Sequence, residues 1–292
     1  MSALDVLPAD RRAVVGALVD AIARVPGIAV VALGGSWVRG TARAESDVDL
    51  ALYYRDAAPP DLDALRAVCA GVDPAATPTG LYAWGPWVNG GAWLRTAAGR
   101  VDLIYRSLDH VRRVIDDAAT GHVAWDFHQQ PPFGFHNVIY LAETADAVAL
   151  CDAEDALPPL KASVRVYPEA LRGAIINTHG WGAEFSLYHA EVAAARGDVY
   201  GAAGGITRVA SHLTQVVFAL NRVYFATDKG ALESIDAMPL RPARYGKTIR
   251  ALLAAPGGDR DALTASIASL SVIVAAVLAL AAEAYRPPFR LR

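Results

Sequence analysis

Apolar residues recur with helical spacing over about residues 8–24, and the pattern then condenses into "GIAVVALGG", a short β-branched run that predicts a strand buried on both faces. The paired glycines end that strand. A short helix is expected in "SWVRGTA", a second strand in "DVDLALYY", and a helix in "PDLDALRAVCAG", with Pro60 at its start and Gly71 at its end. Three strand-like segments follow, "TGLYAWGPW", "GGAWLRTAAG" and "RVDLIYR", separated by Asn-Gly-Gly and Ala-Gly-Arg turn signals. From Ser107 onward the alternation of strands fades. Helical periods cover about 107–119, 136–148, 168–196, 204–226, 243–254 and 260–285. The expected fold class is therefore α+β, with a mixed-sheet domain over 1–127 and a helical bundle over 128–292. The proline-rich "HQQPPFGF" at 128–135 serves as the linker, and a ligand cleft is expected between the two halves.

Composition narrows the class. With 54% hydrophobic and 20% charged residues the chain can bury a large core, and a net charge of −3 offers no general footprint for duplex DNA. Cys69 and Cys151 stand far apart with no metal-type spacing, which points to a reducing, cytoplasmic setting and to neither a disulfide framework nor a zinc site. The N-terminal stretch is interrupted by charges throughout and reads as an amphipathic helix rather than a signal peptide. Ala262–Ala282 carries no charge, but eight Ala, three Ser and one Thr leave nine strongly apolar side chains, so a bundle helix is expected there and no membrane span.

The chemistry concentrates in "LGGSWVRGTARAESDVDLALYY", residues 33–54. Asp47 and Asp49 sit two apart at a strand, so they share a face, and like charges that close need a compensating cation. Hard carboxylate oxygens suit Mg²⁺. Asp102 in "RVDLIYR" supplies a third carboxylate if its strand is a neighbour, and three carboxylates can hold two Mg²⁺ ions for phosphoryl or nucleotidyl transfer. Asp102 has a competing role as an ion-pair partner of Arg100 or Arg106. Gly34, Gly35 and Ser36 form a phosphate cradle, in which glycine backbone can approach a polyphosphate and Ser36 offers a hydroxyl. Arg39, Thr41, Arg43 and Ser46 add donors on the intervening turn. Trp84, Trp87 and Trp93 fit sheet packing.

The Gly-Gly-Ser, ten residues, then Asp-Val-Asp-Leu, followed by a strand carrying Asp102, resembles the nucleotidyltransferase superfamily of DNA polymerase β type over about residues 28–106. The layout is also similar to aminoglycoside and lincosamide nucleotidyltransferases, in which this domain precedes a helical one. The resemblance implies that Gly35 and Ser36 hold the β and γ phosphates, that Asp47 and Asp49 bind metal, and that Asp102 completes the metal site or acts as base. It further implies a role against the triphosphate for Lys229, which follows the "FALNRVYF" helix, and for Tyr245. ATP is the implied donor, and the implied acceptor is a hydroxyl of a small antibiotic-like molecule. Transfer to RNA or protein, or nucleotide sensing without turnover, are alternatives, and Glu184 is a second candidate base. A homodimer is compatible with the apolar C-terminal helix.

Overall fold

The computed structural model describes residues 3–287 and 289, so the outermost ends of both expected domains lie outside the described residues. The chain divides into two compact units, residues 1–116 with 125–166, and residues 117–124 with 167–292.

The first unit opens with a 3-10 turn and α1 (Ala9–Ile22), then β1 (Val30–Leu33), the single turn of α2 (Gly35–Val38), β2 (Val48–Tyr54) and α3 (Leu62–Val72). Asp61 begins α3, its carboxylate accepting from the backbone N–H groups of Asp63 and Ala64. That capping puts the first helical residue at Leu62, two residues past Pro60. β3 (Gly91–Thr96) and β4 (Gly99–Ser107) follow, then α4 (Leu108–Ala119), the short pair β5 (Trp125–Asp126) and β6 (Phe135–His136), α5 (Val138–Asp146), β7 (Val148–Asp152) and α6 (Leu157–Ser163). Five strands form one mixed sheet in the order β3-β4-β2-β1-β7, with β2 parallel to β4 and the other neighbours antiparallel.

Around the main sheet, two segments differ from the sequence reading. Residues 79–87 are a looped turn rather than a strand. Gly85, Tyr82 and Asn89 all take positive φ, and the buried Asn89 side chain pins the turn, accepting from the Tyr82 N–H and donating to the Tyr54 hydroxyl. The edge strand β7 was missed because "VALCD" is half-buried and lacks a clean alternation. Its pairing with β1 places residues well past 127 in the same sheet as the Asp-x-Asp strand.

The pleat sorts the sheet into two faces. Val48, Leu50 and Leu52 of β2 and Val101, Leu103 and Tyr105 of β4 are buried in one core with Leu18 and Ile22 of α1 and Leu65 and Cys69 of α3. Each such aliphatic side chain contributes roughly 2 kcal/mol through removal from water. The opposite pleat carries Asp49, Ala51 and Tyr53 on β2 beside Asp102, Ile104 and Arg106 on β4. Arg106 is 4% exposed and forks onto Glu143 of α5, with Nε to Oε2 at 2.7 Å and Nη2 to Oε1 at 2.8 Å, while Nη1 donates to the Val88 carbonyl. It therefore holds α5 against the sheet. Arg106→Met leaves the Glu143 carboxylate unanswered and is expected to cost about 3–5 kcal/mol, visible as a fall of roughly 10 °C in Tm. A Tm within a degree or two of the parent would show that this fork carries no stability.

The second unit is helical: α7 (Glu169–Ala195), α8 (Val199–Leu220), α9 (Ala231–Ala237), α10 (Tyr245–Ala254) and α11 (Arg260–Leu280). The end of α8 is buried all round, from Val209 to Leu220, which makes it the central helix of this unit. Small residues let α7 approach it closely; a Cβ on Gly205 would lie 2.6 Å from the Cβ of Ala190. α11 buries Leu263, Ile267, Leu270, Ile273, Val274 and Val277, while Val272 is 68% exposed on the other side. By length and composition this helix is apolar enough to cross a membrane, and a third of its most apolar window is buried within the protein.

Between α7 and α8, His179 and His212 meet through their Nδ1 atoms at 2.9 Å, both buried. Burial, assisted by nearby Arg208, pulls His212 down to about 4. Its folded pKa lies below the unfolded value, so the neutral ring stabilises the fold fully above about pH 6.5, and that stabilisation is lost as pH falls toward 4. Urea denaturation should show a loss of roughly 3 kcal/mol over that window, and His212→Gln should flatten the slope. An unchanged slope in the variant would assign the acid sensitivity elsewhere.

Candidate active site

Asp49 and Asp102 are register partners across the parallel pair β2 and β4, so the two carboxylates stand side by side on the face away from the α1–α3 core. Trp93 of β3 is the register partner of Asp102 on the far side. One row thus runs Asp49, Asp102, Trp93 across three strands. At the near end, Gly35 follows β1 with φ +69°, and a Cβ built on it would lie 1.7 Å from Oδ2 of Asp49. The Gly34 N–H donates to the Asp49 carbonyl at 3.0 Å, which ties the glycine turn to the Asp-x-Asp strand. Sequence separation hides this closeness; the antiparallel β1–β2 pairing creates it.

Ser36 lies in α2, half-buried, directly after Gly35. Trp37 donates its indole N–H to the Asp47 carbonyl at 3.0 Å, with the Arg11 guanidinium over its ring, so the loop between cradle and carboxylates is braced. Ser46 is engaged in that loop: its hydroxyl accepts the Arg43 N–H at 2.9 Å, and its carbonyl accepts from Arg11 at 2.7 Å. Arg39 is directed to Asp146 at 3.6 Å, and burial raises the pKa of that carboxyl in spite of the guanidinium.

Asp47 is the residue whose surroundings sequence left open. Arg100, at the start of β4, forks onto it, with Nε to Oδ1 at 2.7 Å and Nη2 to Oδ2. The guanidinium is 68% exposed, so the pair adds little stability, yet it occupies the carboxylate. The sequence reading gathered Asp47, Asp49 and Asp102 around a cation. Among the described residues no group of three His, Cys, Asp or Glu side chains is disposed to hold one. Asp49 and Asp102 have the hard oxygen chemistry and shared face that a divalent cation requires, whereas Asp47 is engaged by Arg100. Removing the competing guanidinium with Arg100→Met is expected to tighten Mn²⁺ binding severalfold in a titration followed by electron paramagnetic resonance. Weaker binding in the variant would show that Arg100 supports the cation site instead.

The remaining expected residues lie in the second unit. Lys229 is exposed in the segment after α8, its N–H donating to the Thr227 hydroxyl at 3.2 Å. Tyr245 corrects the sequence reading: it is 0% exposed at the start of α10, in the helical core, and burial raises its hydroxyl pKa. A side chain so enclosed does not present itself to a triphosphate. Glu184, on α7, accepts a hydrogen bond from the Tyr285 hydroxyl. Two features escaped sequence reasoning, the Arg100 fork and the exposed Trp93. Both follow from strand register; the only sequence signal was their position two residues from an acidic or basic neighbour on the same strand.

Residues 17–76 match the family described as a nucleotidyltransferase domain, a span that holds Gly35, Ser36, Asp47 and Asp49 and ends before Asp102. Residues 137–229 match a domain of unknown function, DUF4037. No curated protein matches the chain. Among solved structures, a nucleotidyltransferase-like protein from Exiguobacterium sibiricum 255-15, determined at 1.90 Å resolution, aligns over 94% of this chain and 77% of that chain, with 13% identical residues and a TM-score of 0.46.

Proposed function

We propose that this chain, whose residues 17–76 match a nucleotidyltransferase domain, is a nucleotidyltransferase of the DNA polymerase β type that transfers a nucleoside monophosphate from Mg²⁺-ATP to a hydroxyl of a small acceptor. The observation that carries this reading is the Asp49–Asp102 pair, set in register beside the Gly35 turn. Gly35 and Ser36 receive the β and γ phosphates through backbone and hydroxyl donors, with Arg39 at the edge of the turn. The acceptor oxygen attacks the α-phosphorus, the bond to the bridging oxygen breaks, and pyrophosphate leaves. Asp102 takes the hydroxyl proton, and its place beside Asp49 keeps the acceptor oxygen next to the phosphorus. Asp49 and Asp102, with Asp47 released from Arg100, would hold the divalent cation, which when bound polarises the phosphorus and offsets the charge that builds up on its oxygens.

Aminoglycosides and lincosamides are the acceptor classes to try first, on the layout similarity and on a net charge of −3, which does not repel amines. Incubation with α-labelled ATP, Mg²⁺, a panel of both drug classes and fractionated cell extract tests the proposal. Label in a small-molecule fraction with stoichiometric pyrophosphate supports it. Label confined to RNA or protein would reassign the acceptor, and silence with every nucleoside triphosphate would overturn the transfer reading.

A further inference from the structure

The carboxylate row continues into a cavity of about 540 Å³ whose wall includes Asp102, Trp93, Arg95, Arg100 and Asp73. All five residues belong to the first unit. Trp93 is 65% exposed, an unusual state for a large indole at a strand position, and one of its faces is stacked on Trp84 at 4.5 Å between centroids and 20° between planes. The looped turn at 79–89, held by Asn89, brings Trp84 there. One face of the outer indole is therefore covered by Trp84, and its remaining surface shares the cavity wall with Asp102. Sheet packing does not explain it. Trp87, by contrast, is packed among Phe135, Tyr140 and His110.

The order across the sheet gives this platform a direction. Gly35 lies on the β1 side of the Asp49–Asp102 pair and Trp93 on the β3 side, so phosphates and platform flank the carboxylates from opposite sides. We propose that Trp93, backed by Trp84, is the acceptor-recognition surface, taking the flat face of a hydroxylated sugar or aromatic ring. Its hydroxyl is thereby placed at Asp102. Arg95, exposed two residues along β3, favours a ring bearing neutral or acidic substituents over a polyamine, while Arg100 on the same wall is held by Asp47. Asp73 is committed to the fold, accepting from the backbone N–H groups of Arg95 and Ala75, and so offers less to an amine. This inference rests on the nucleotidyl-transfer reading and narrows its acceptor. Sugar–indole and base–indole contacts share one chemistry, a polarised C–H or π face against the ring.

The test is calorimetric titration of the full chain with Mg²⁺ and saturating α,β-methylene ATP, which keeps the donor position filled. The probes are a hexose 6-phosphate, a nucleoside 5′-monophosphate, lincomycin and kanamycin. At least one of the first three is expected to bind, to weaken at least about fivefold in Trp93→Ala, and to retain most of its affinity in Trp93→Phe. Arg95→Ala should weaken only the phosphorylated probes. Which phosphorylated probe binds separates sugar from base. Equal binding by Trp93→Ala, preference for kanamycin, or no binding by any ring probe would each overturn the proposal. Binding of the ATP analogue itself reports on the underlying transfer reading: its loss in the parent protein sinks that reading, whereas its retention with an indifferent Trp93→Ala sinks only the acceptor surface.

Discussion

Asp49→Ala is expected to abolish nucleotidyl transfer, lowering kcat/KM at least about 10³-fold, some 4 kcal/mol of lost transition-state stabilisation. Asp49 is the one carboxylate that touches both halves of the site: Asp102 is its register partner, and the Gly35 backbone packs against its Oδ2. The same substitution should leave folding intact. Its side chain lies on the half-exposed pleat outside the α1–α3 core. Pyrophosphate release and a thermal melt on the same preparation decide the matter. A variant that keeps a tenth of the parent rate at unchanged Tm would falsify the placement of Asp49 at the reacting phosphate.

The second large effect is expected from a single methyl group. In Gly35→Ala the new Cβ would fall 1.7 Å from Oδ2 and 2.7 Å from Cγ of Asp49, at a φ of +69° that L residues rarely adopt. Asp49 is short and rooted in a central strand, so it cannot swing clear without leaving its row, and the cradle cannot withdraw without losing its tie to the Asp49 carbonyl. A displacement of about 1 Å at such a site costs on the order of 10² in rate, and the backbone strain about 1 kcal/mol in stability. Gly34→Ala is the internal control. No atom lies within 4 Å of its added Cβ, and its φ of −131° suits any residue, so the carboxylate row stays in place and the rate should fall less than about tenfold. Equal losses at both glycines would point to phosphate approach, rather than the position of Asp49, as what the turn protects.

These contrasts mark what the amino-acid order determines. The Gly-Gly-Ser turn, the two-residue spacing of Asp47 and Asp49, and the helical periods of α3, α4, α7, α10 and α11 were legible because each depends on residues within one turn or one pleat of each other. The looped turn at 79–89 was misread because its short aromatic-rich apolar run has the composition of a strand, while a distant Tyr54 hydroxyl and a buried Asn89 hold it in a coil. Strand β7 was invisible because an edge strand half-buried on each face carries no strong period. Tyr245 was expected at the triphosphate from the family resemblance and is a core residue in space.

The tertiary structure alone decided which charges meet. Arg100 and Arg106 stand six residues apart on one strand, yet the parallel register of β4 on β2 directs the hydrogen bonds of Arg100 to Asp47, with the charge of Asp102 also acting on it, and the packing of α5 directs Arg106 to Glu143. The same register, together with the antiparallel pairing of β3, sets Trp93 beside Asp102. The physical reason is common to all of them: periodicity says which face a side chain takes, but its partner across a sheet depends on strand order and register, which only the closing of the whole core selects.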